Sequence, residues 1–230
     1  DYLSPHNGGP PVGADIYKVL SNIAPAIYSE TTGRDWYDDG MSEEGGRNRQ
    51  KIASTFLLRA GIDGNRYPSG TLGAFGQFNS GGTNYVVFND DAITIDDMEV
   101  REEGAPYGQT DLFAPAAEAG TDTPEQADAA KKMWQKKGVK SPYFKKWFRD
   151  STLTKDGKPE VFYHGTDADF SEFDPKRSGE NFPRYSFGIH FHSDPGFARS
   201  YATGEVDPKK AGNSGANIMP VYLRAENPLV

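Results

Sequence analysis

The sequence predicts an α+β fold that holds more sheet and turn than a helix bundle would. Composition is the first reason. The 230 residues include 26 Gly and 16 Pro, with a hydrophobic share of 36% and an aromatic share of 13%, which supports a core inside a loop-rich chain. Pattern is the second. Short β-branched and aromatic runs are bounded by Gly, Pro, Asn and Asp, while separate stretches repeat apolar residues at helical spacing. The length fits one large domain or two small ones.

Residues 1–14, rich in Gly and Pro, read as a loop. A helix is predicted near 15–28, with Ile16, Val19, Leu20 and Ile23 on one stripe, followed by a polar, Gly-rich stretch at 30–47. A second helix is predicted at 48–60, with Ile52, Ala53, Phe56, Leu57 and Ala60 on one face and Gly61 as its stop. Residues 61–67 make a tight turn into a short strand, and 68–83 form a glycine-rich loop. Tyr85–Phe88 and Ile93–Ile95 read as strands around the turn Asn89-Asp90-Asp91. From 99 to 122 the composition is that of a linker. Thr123-Pro124-Glu125-Gln126 then opens a helix running to Gly138, with Thr as cap, Pro in the first turn and Gln at the capping-box position. Ser141-Pro142 starts a short aromatic helix ending near Asp150, and residues 154–158 form a hairpin turn. Strands follow at 159–164, 186–192 and 218–224, with a helix from Asp194-Pro195 that carries Phe197, Ala198 and Tyr201. No internal repeat is visible.

The net charge of -8 is unevenly spread. Residues 131–149 hold eight basic side chains and no acidic one, so removing their +8 leaves the remainder at -16. This basic stripe lies beside Trp134, Tyr143 and Trp147, a combination that can touch nucleic acid. The ordinary role of such a run is a solvated helix face, and an acidic chain is a poor general nucleic-acid binder. The lack of cysteine excludes a disulfide framework, a zinc ribbon and thiol catalysis. No apolar run of about 18 residues and no signal peptide is visible, so a cytoplasmic protein without membrane contact is expected. Both ends read as cut from something longer.

Three motifs carry chemistry. Val161–Thr166 is a strand delivering a His-Gly-Thr corner, Ser186–Phe191 brings a ring onto a second strand, and Ala198–Ala202 places Tyr201 eleven residues after His190. Together they describe a pocket for a flat polar ring. A further element, Thr83–Phe88, comes earlier in the chain. His190 and His192, two apart on a strand, face one side and have the spacing of a metal pair with His164 as a third ligand. Carboxylate partners and a metal-hydrolase motif are lacking, so no metal is expected.

These motifs resemble the ADP-ribosyltransferase domain of large polyvalent proteins of phages and mobile elements. More remotely they resemble poly(ADP-ribose) polymerases and diphtheria-like toxins, the histidine-tyrosine-glutamate class. Residues 142–230, with the lead-in Ser141–Phe148, are similar to that domain's N-terminal half. Residues 15–97 are similar to its C-terminal half through Phe56–Gly64 and Asn84–Phe88. The resemblance covers roughly three quarters of the chain, in inverted order. It implies a split antiparallel β-sandwich with flanking helices and half-domains in permuted order, divided as 1–98, a bridge at 99–141, and 142–230. Two tandem domains, each left incomplete, would give the same motif order, and exchange of halves between chains could complete either.

The resemblance also assigns roles. His164 would hydrogen-bond a ribose hydroxyl of NAD, and the backbone of Gly165 would pair with the nicotinamide amide. Thr166 would lock the corner, and Tyr201 would stack on the nicotinamide. His190 stands where the polymerases usually carry a second tyrosine, and Ser193 joins the NAD-binding set. Asn84 occupies the slot of the catalytic glutamate. It can supply the hydrogen bond but not the charge that an oxocarbenium-like transition state favours. Gly82 replaces the Glu or Gln of arginine-modifying toxins, and the loop at 68–83 would lie against the target. The function implied is transfer of ADP-ribose from NAD to a protein or nucleic-acid acceptor, as a toxin or effector module. Taken alone, Tyr201 could simply pack on Phe197, four residues back, and Asn84 could be a turn residue at a strand start. A catalytically weak NAD-binding or interaction module fits that alternative.

Overall fold

A computed structural model of the chain describes residues 13–41, 46–68, 82–95, 124–168, 170, 173–174, 188–203 and 217–230. The N-terminal loop to residue 12, most of the glycine-rich loop, the linker at 99–122, the Thr123 cap and residues 186–187 lie outside that set.

The sequence stripe expected to be one helix at 15–28 forms two, α1 (Gly13–Asn22) and α2 (Ala24–Thr32). Pro25 explains the break, because its nitrogen cannot donate back and its ring crowds the preceding turn. Gly33, at φ 69°, closes α2 in the left-handed region that glycine tolerates best. α3 (Gly46–Arg59) ends on Gly61 at φ 83°, close to the predicted limits. Tyr17 ties α1 to α3 by donating to the Gln50 carbonyl at 3.0 Å. Trp36, 2% exposed, lies beneath α2 and α3 with Tyr28 edge-on and the Arg49 guanidinium 5.8 Å from its ring.

The strand runs assemble into one antiparallel sheet of six strands. β1 (Gly64–Pro68), β2 (Thr83–Val87) and β3 (Ile93–Ile95) come from the first part of the chain. After α4 (Pro124–Lys137) and α5 (Pro142–Phe148), a small hairpin pairs β4 (Thr154–Lys155) with β5 (Lys158–Pro159). Its turn residues Asp156 and Gly157 both have positive φ, as a two-residue primed turn requires. β6 (Val161–Thr166), β7 (Ile189–His192), α6 (Pro195–Ala202) and β8 (Asn217–Leu223) complete the set. The order across the sheet is β1-β2-β7-β6-β8-β3, so strands from the two ends of the chain interleave. Exchange between chains is therefore not needed to build the sheet.

Pairing is extensive except at one seam. β1 and β2 pair over five positions, β2 and β7 over four, β6 and β8 over six, and β3 and β8 over three. β6 and β7 share a single pair, Tyr163 with His192. The sheet is thus two three-stranded ribbons joined at a point, which gives the expected split a concrete form.

Alternation sorts the side chains onto two faces. One face buries Tyr85, Val87, Phe162, Ile189, Phe191, Met219, Val221 and Leu223 in the main core, together with Leu153 and Phe173. On the other face, Tyr222 and Val161 meet Phe144, Trp147 and Phe148 of α5 and Trp134 of α4. Trp134 and Trp147, two of the aromatic residues of the basic stripe, accordingly pack in this second core. Trp147 is 3% exposed and donates its indole N–H to the Asp91 carbonyl, whereas Lys132, Lys136, Lys137, Lys140, Lys145, Lys146 and Arg149 are exposed. A solvated helix face describes that stripe.

Beyond β8 the chain crosses to the outer edge of β1. Leu229 N–H donates to Gly64, Arg66 N–H donates to Leu229, and the Asp63 carboxylate accepts from the backbone N–H groups of Glu226 and Asn227. Among the described residues, no helix is long and apolar enough to cross a membrane.

Candidate active site at the seam between β6 and β7

Past the Tyr163–His192 pair the β6–β7 ladder is replaced by a side chain. His164 Nδ1 lies 2.8 Å from the His190 carbonyl, which can only accept, so Nδ1 carries the proton and Nε2 keeps its lone pair. The ring sits among Phe170, Phe173 and Phe191, with centroids 6.1, 5.2 and 5.6 Å away. Burial lowers the His164 pKa, with the carbonyl contact working weakly the other way, so the imidazole is neutral at pH 7.

Gly165 is a glycine for a reason the sequence did not show. A Cβ there would stand 1.7 Å from the Ala198 carbonyl oxygen, so α6 lies directly on the β6 backbone. The missing side chain admits the helix. Thr166 is buried, and its hydroxyl accepts the Ala168 N–H at 3.1 Å, which closes the corner after β6.

α6 begins where Asp194 caps it by accepting the Gly196 N–H at 2.8 Å, with Pro195 in the first turn. Phe197 stacks on the His192 imidazole, 4.1 Å between centroids at 23°, and the half-buried Tyr201 ring stands 5.5 Å from Phe197. His192 itself is 2% exposed. Its Nδ1 lies 2.8 Å from the Asp194 nitrogen and 3.2 Å from the Asp194 carbonyl oxygen. The N–H, the shorter contact, can only donate, so Nδ1 accepts it, and burial lowers the His192 pKa.

Asn84 enters this neighbourhood from β2. It stands opposite His192 in register, on the face that also carries His190, Tyr163 and α6. Two strand spacings, roughly 10 Å, separate it from β6. Among the described residues, no side-chain hydrogen bond engages its amide. Ser193 accepts the Thr83 N–H on its hydroxyl at 2.9 Å and clasps the start of β2 to the end of β7. At Gly82 a Cβ would lie 2.5 Å from His192 Cε1, so no larger residue fits beside that imidazole.

The structure therefore brings Asn84, His190, His192 and Tyr201 to one face of the seam. His164 reaches the seam from the opposite face, with Gly165 and Thr166 following it. Sequence reading missed the part played by His192 and Phe197. Their one visible signal was the interval of five residues between His192 at a strand end and Phe197, the third residue of a capped helix. Among the described residues no group of three His, Asp or Glu is disposed to hold a metal ion.

Residues 154–230 match the model of the family described as ADP-ribosyltransferase in polyvalent proteins. That stretch is similar to the ADP-ribosyltransferase domain of polyvalent proteins. No curated protein and no solved structure matches the chain. The matched segment starts at the β4–β5 hairpin and takes in β6, β7, α6 and β8, so His164, Gly165, Thr166, His190, Ser193 and Tyr201 all lie inside it. Asn84 lies outside it and joins it through the pairing of β2 with β7.

Proposed function

We propose that the seam binds NAD and transfers its ADP-ribose to a macromolecular acceptor, and that 1–98 and 142–230 are the two halves of one permuted domain bridged by 99–141. The observation that carries this reading is the pairing of Asn84 with His192 on the strand next to β6. Segments more than a hundred residues apart thereby meet at the one break in the ladder. The reading also places the chain as a module of a larger polyvalent protein.

In this scheme His164 Nε2 accepts a hydrogen bond from a ribose hydroxyl, because Nδ1 is already committed to the His190 carbonyl. The nicotinamide stacks between Tyr201 and the His190 strand, and the Gly165 backbone meets its amide along the strand edge, since α6 fills the side above. The glycosidic bond between the ribose carbon and the nicotinamide nitrogen breaks, and its electron pair leaves with neutral nicotinamide. An acceptor lone pair forms the new bond to the same carbon, and the acceptor proton passes to solvent. Asn84 hydrogen-bonds the ribose without countering the positive charge that builds on it. That neutrality is also what favours a second reading, a module that binds NAD and turns it over weakly.

Release of labelled nicotinamide, compared between the native chain and His164→Ala, separates the two readings. Tyr201→Ala is expected to weaken NAD binding by about 1 kcal/mol or more, the scale of a lost aromatic stack. Calorimetry that finds no NAD binding to the folded native chain would sink the proposal. One well-placed electrostatic group is commonly worth about 10²–10³ in rate. Asn84→Glu is therefore expected to raise NAD cleavage while leaving affinity nearly unchanged, because the gain arises only in the transition state. Unchanged turnover in a protein that binds NAD would remove Asn84 from the glutamate slot.

A further inference from the structure

His192 stands where every element carrying a proposed site residue meets. It makes the single β6–β7 pair with Tyr163, next to His164, and it faces Asn84 across β2. Its ring is the floor on which Phe197 stacks at 4.1 Å, and Phe197 in turn lies against Tyr201 one helical turn on. Its Nδ1 holds the N–H of Asp194, the residue that caps α6. On its other edge the chain entering β2 presses in, with room at position 82 for hydrogen only.

No apolar residue could make this set of contacts. Leucine would fill the volume but leave the Asp194 N–H without its acceptor and offer Phe197 no flat surface. Phenylalanine would restore the surface but not the acceptor. The contacts require a flat ring with a nitrogen lone pair at the δ position. We infer that His192 is a positioning residue of the transfer site, its imidazole setting the spacing between α6, which carries Tyr201, and β2, which carries Asn84. The inference rests on the function proposed above. Catalytic groups that work together must hold their relative geometry to within about an ångström, and here one buried ring spans the two elements that must agree.

Two substitutions divide the contacts. His192→Asn keeps an acceptor near the Nδ1 position and removes the ring. His192→Phe keeps the ring and removes the acceptor. The first measurement is amide hydrogen exchange on the free protein, well below its melting temperature and without NAD. His192→Asn is expected to speed exchange in β2 near Asn84 and in α6 together, and His192→Phe chiefly at the start of α6. Gly82→Ala, which pushes on the same imidazole from the β2 side, is expected to affect the same two elements and serves if His192→Asn fails to fold. The second measurement is a double-mutant cycle for NAD affinity with Tyr201→Ala. His192→Asn is expected to weaken binding about fivefold or more, the scale of one aromatic stack, and to add little once Tyr201 is gone. Exchange changes confined to β7, or fully additive losses in the cycle, would overturn the inference and leave His192 as ordinary core. Coupled exchange in a native chain that binds no NAD would instead overturn the transfer reading while the coupling itself stands.

Discussion

The two ribbons of the sheet are built in mirrored proportion and joined in a manner unlike either. β1-β2-β7 takes two strands from the first part of the chain and one from the second, and β6-β8-β3 takes one and two. Inside each ribbon, ladders of three to six positions satisfy the backbone without help from side chains. Between ribbons one pair does so, and side chains must supply the rest. His164 takes the His190 carbonyl, His192 takes the Asp194 N–H, and α6 rests its backbone on Gly165. The comparison teaches that strength and chemistry are kept apart. Backbone pairing holds the ribbons, and the place where pairing stops is where polar side chains converge.

The largest expected effect tests whether the ribbons are one cooperative unit. Phe162 is fully buried on β6 and packs against Tyr85 of the other ribbon, 6.0 Å between rings. Phe162→Ala is expected to destabilise by about 3–5 kcal/mol, seen in urea denaturation as a single shifted transition. Two separate transitions would mean that the ribbons melt independently.

A smaller effect probes the seam alone. Gly165→Ala must push α6 away from β6, and overpacking of this kind commonly costs about 1–3 kcal/mol. Urea denaturation should report that loss, and calorimetry should show a larger fractional loss of NAD affinity than of stability. Equal stability with unchanged NAD affinity would show that α6 can move aside without consequence for the seam.

The smallest effect depends on pH. Burial lowers the pKa of both His164 and His192 in the folded chain relative to the ordinary value of 6.5. The unfolded chain therefore takes up protons first as pH falls. The stabilisation is fully present above pH 6.5 and is lost progressively below it, through the lowered folded values. Denaturation midpoints measured between pH 7.5 and about 5, above the main carboxylate range, should fall toward acid, and a flat profile would remove both imidazoles from buried positions.

Local signals were legible where a residue type has a local physical role. Gly61 stopped α3, Asp194-Pro195 opened α6, and the Asp156-Gly157 turn marked the hairpin, each through backbone preferences that need no partner. The His-Gly-Thr corner was legible for the same reason. What stayed hidden depended on distant partners. Alternation in Thr83–Val87 says which side chains share a face but not that His192, 108 positions later, stands opposite Asn84. Nothing local to Ser193 shows that its hydroxyl accepts the Thr83 N–H. That a helix rests on Gly165 was hidden because that helix begins thirty residues later. Trp134 and Trp147 read as companions of a basic stripe because helical spacing does not say which side meets the sheet. Pro25, which divides α1 from α2, lies beyond the apolar stripe from Ile16 to Ile23, so that stripe alone does not show the break.

The strap that runs from β8 to β1 also bears on how the chain acquires its shape. Asn65 meets Leu229 across 164 positions, and Ile93 meets Leu223 across 130. Contacts of that separation must close very long loops before they return any free energy, which slows the search for the native state. On a ribosome, the β1–β2 hairpin emerges well before any strand that covers it, with Tyr85 and Val87 open to water until β7 and the Phe162 strand arrive. Synthesis of this chain therefore passes through a stage in which half a sheet waits with its apolar face uncovered. The interval between residue 95 and residue 192 is the period in which that face depends on dilution or a chaperone to stay unpaired.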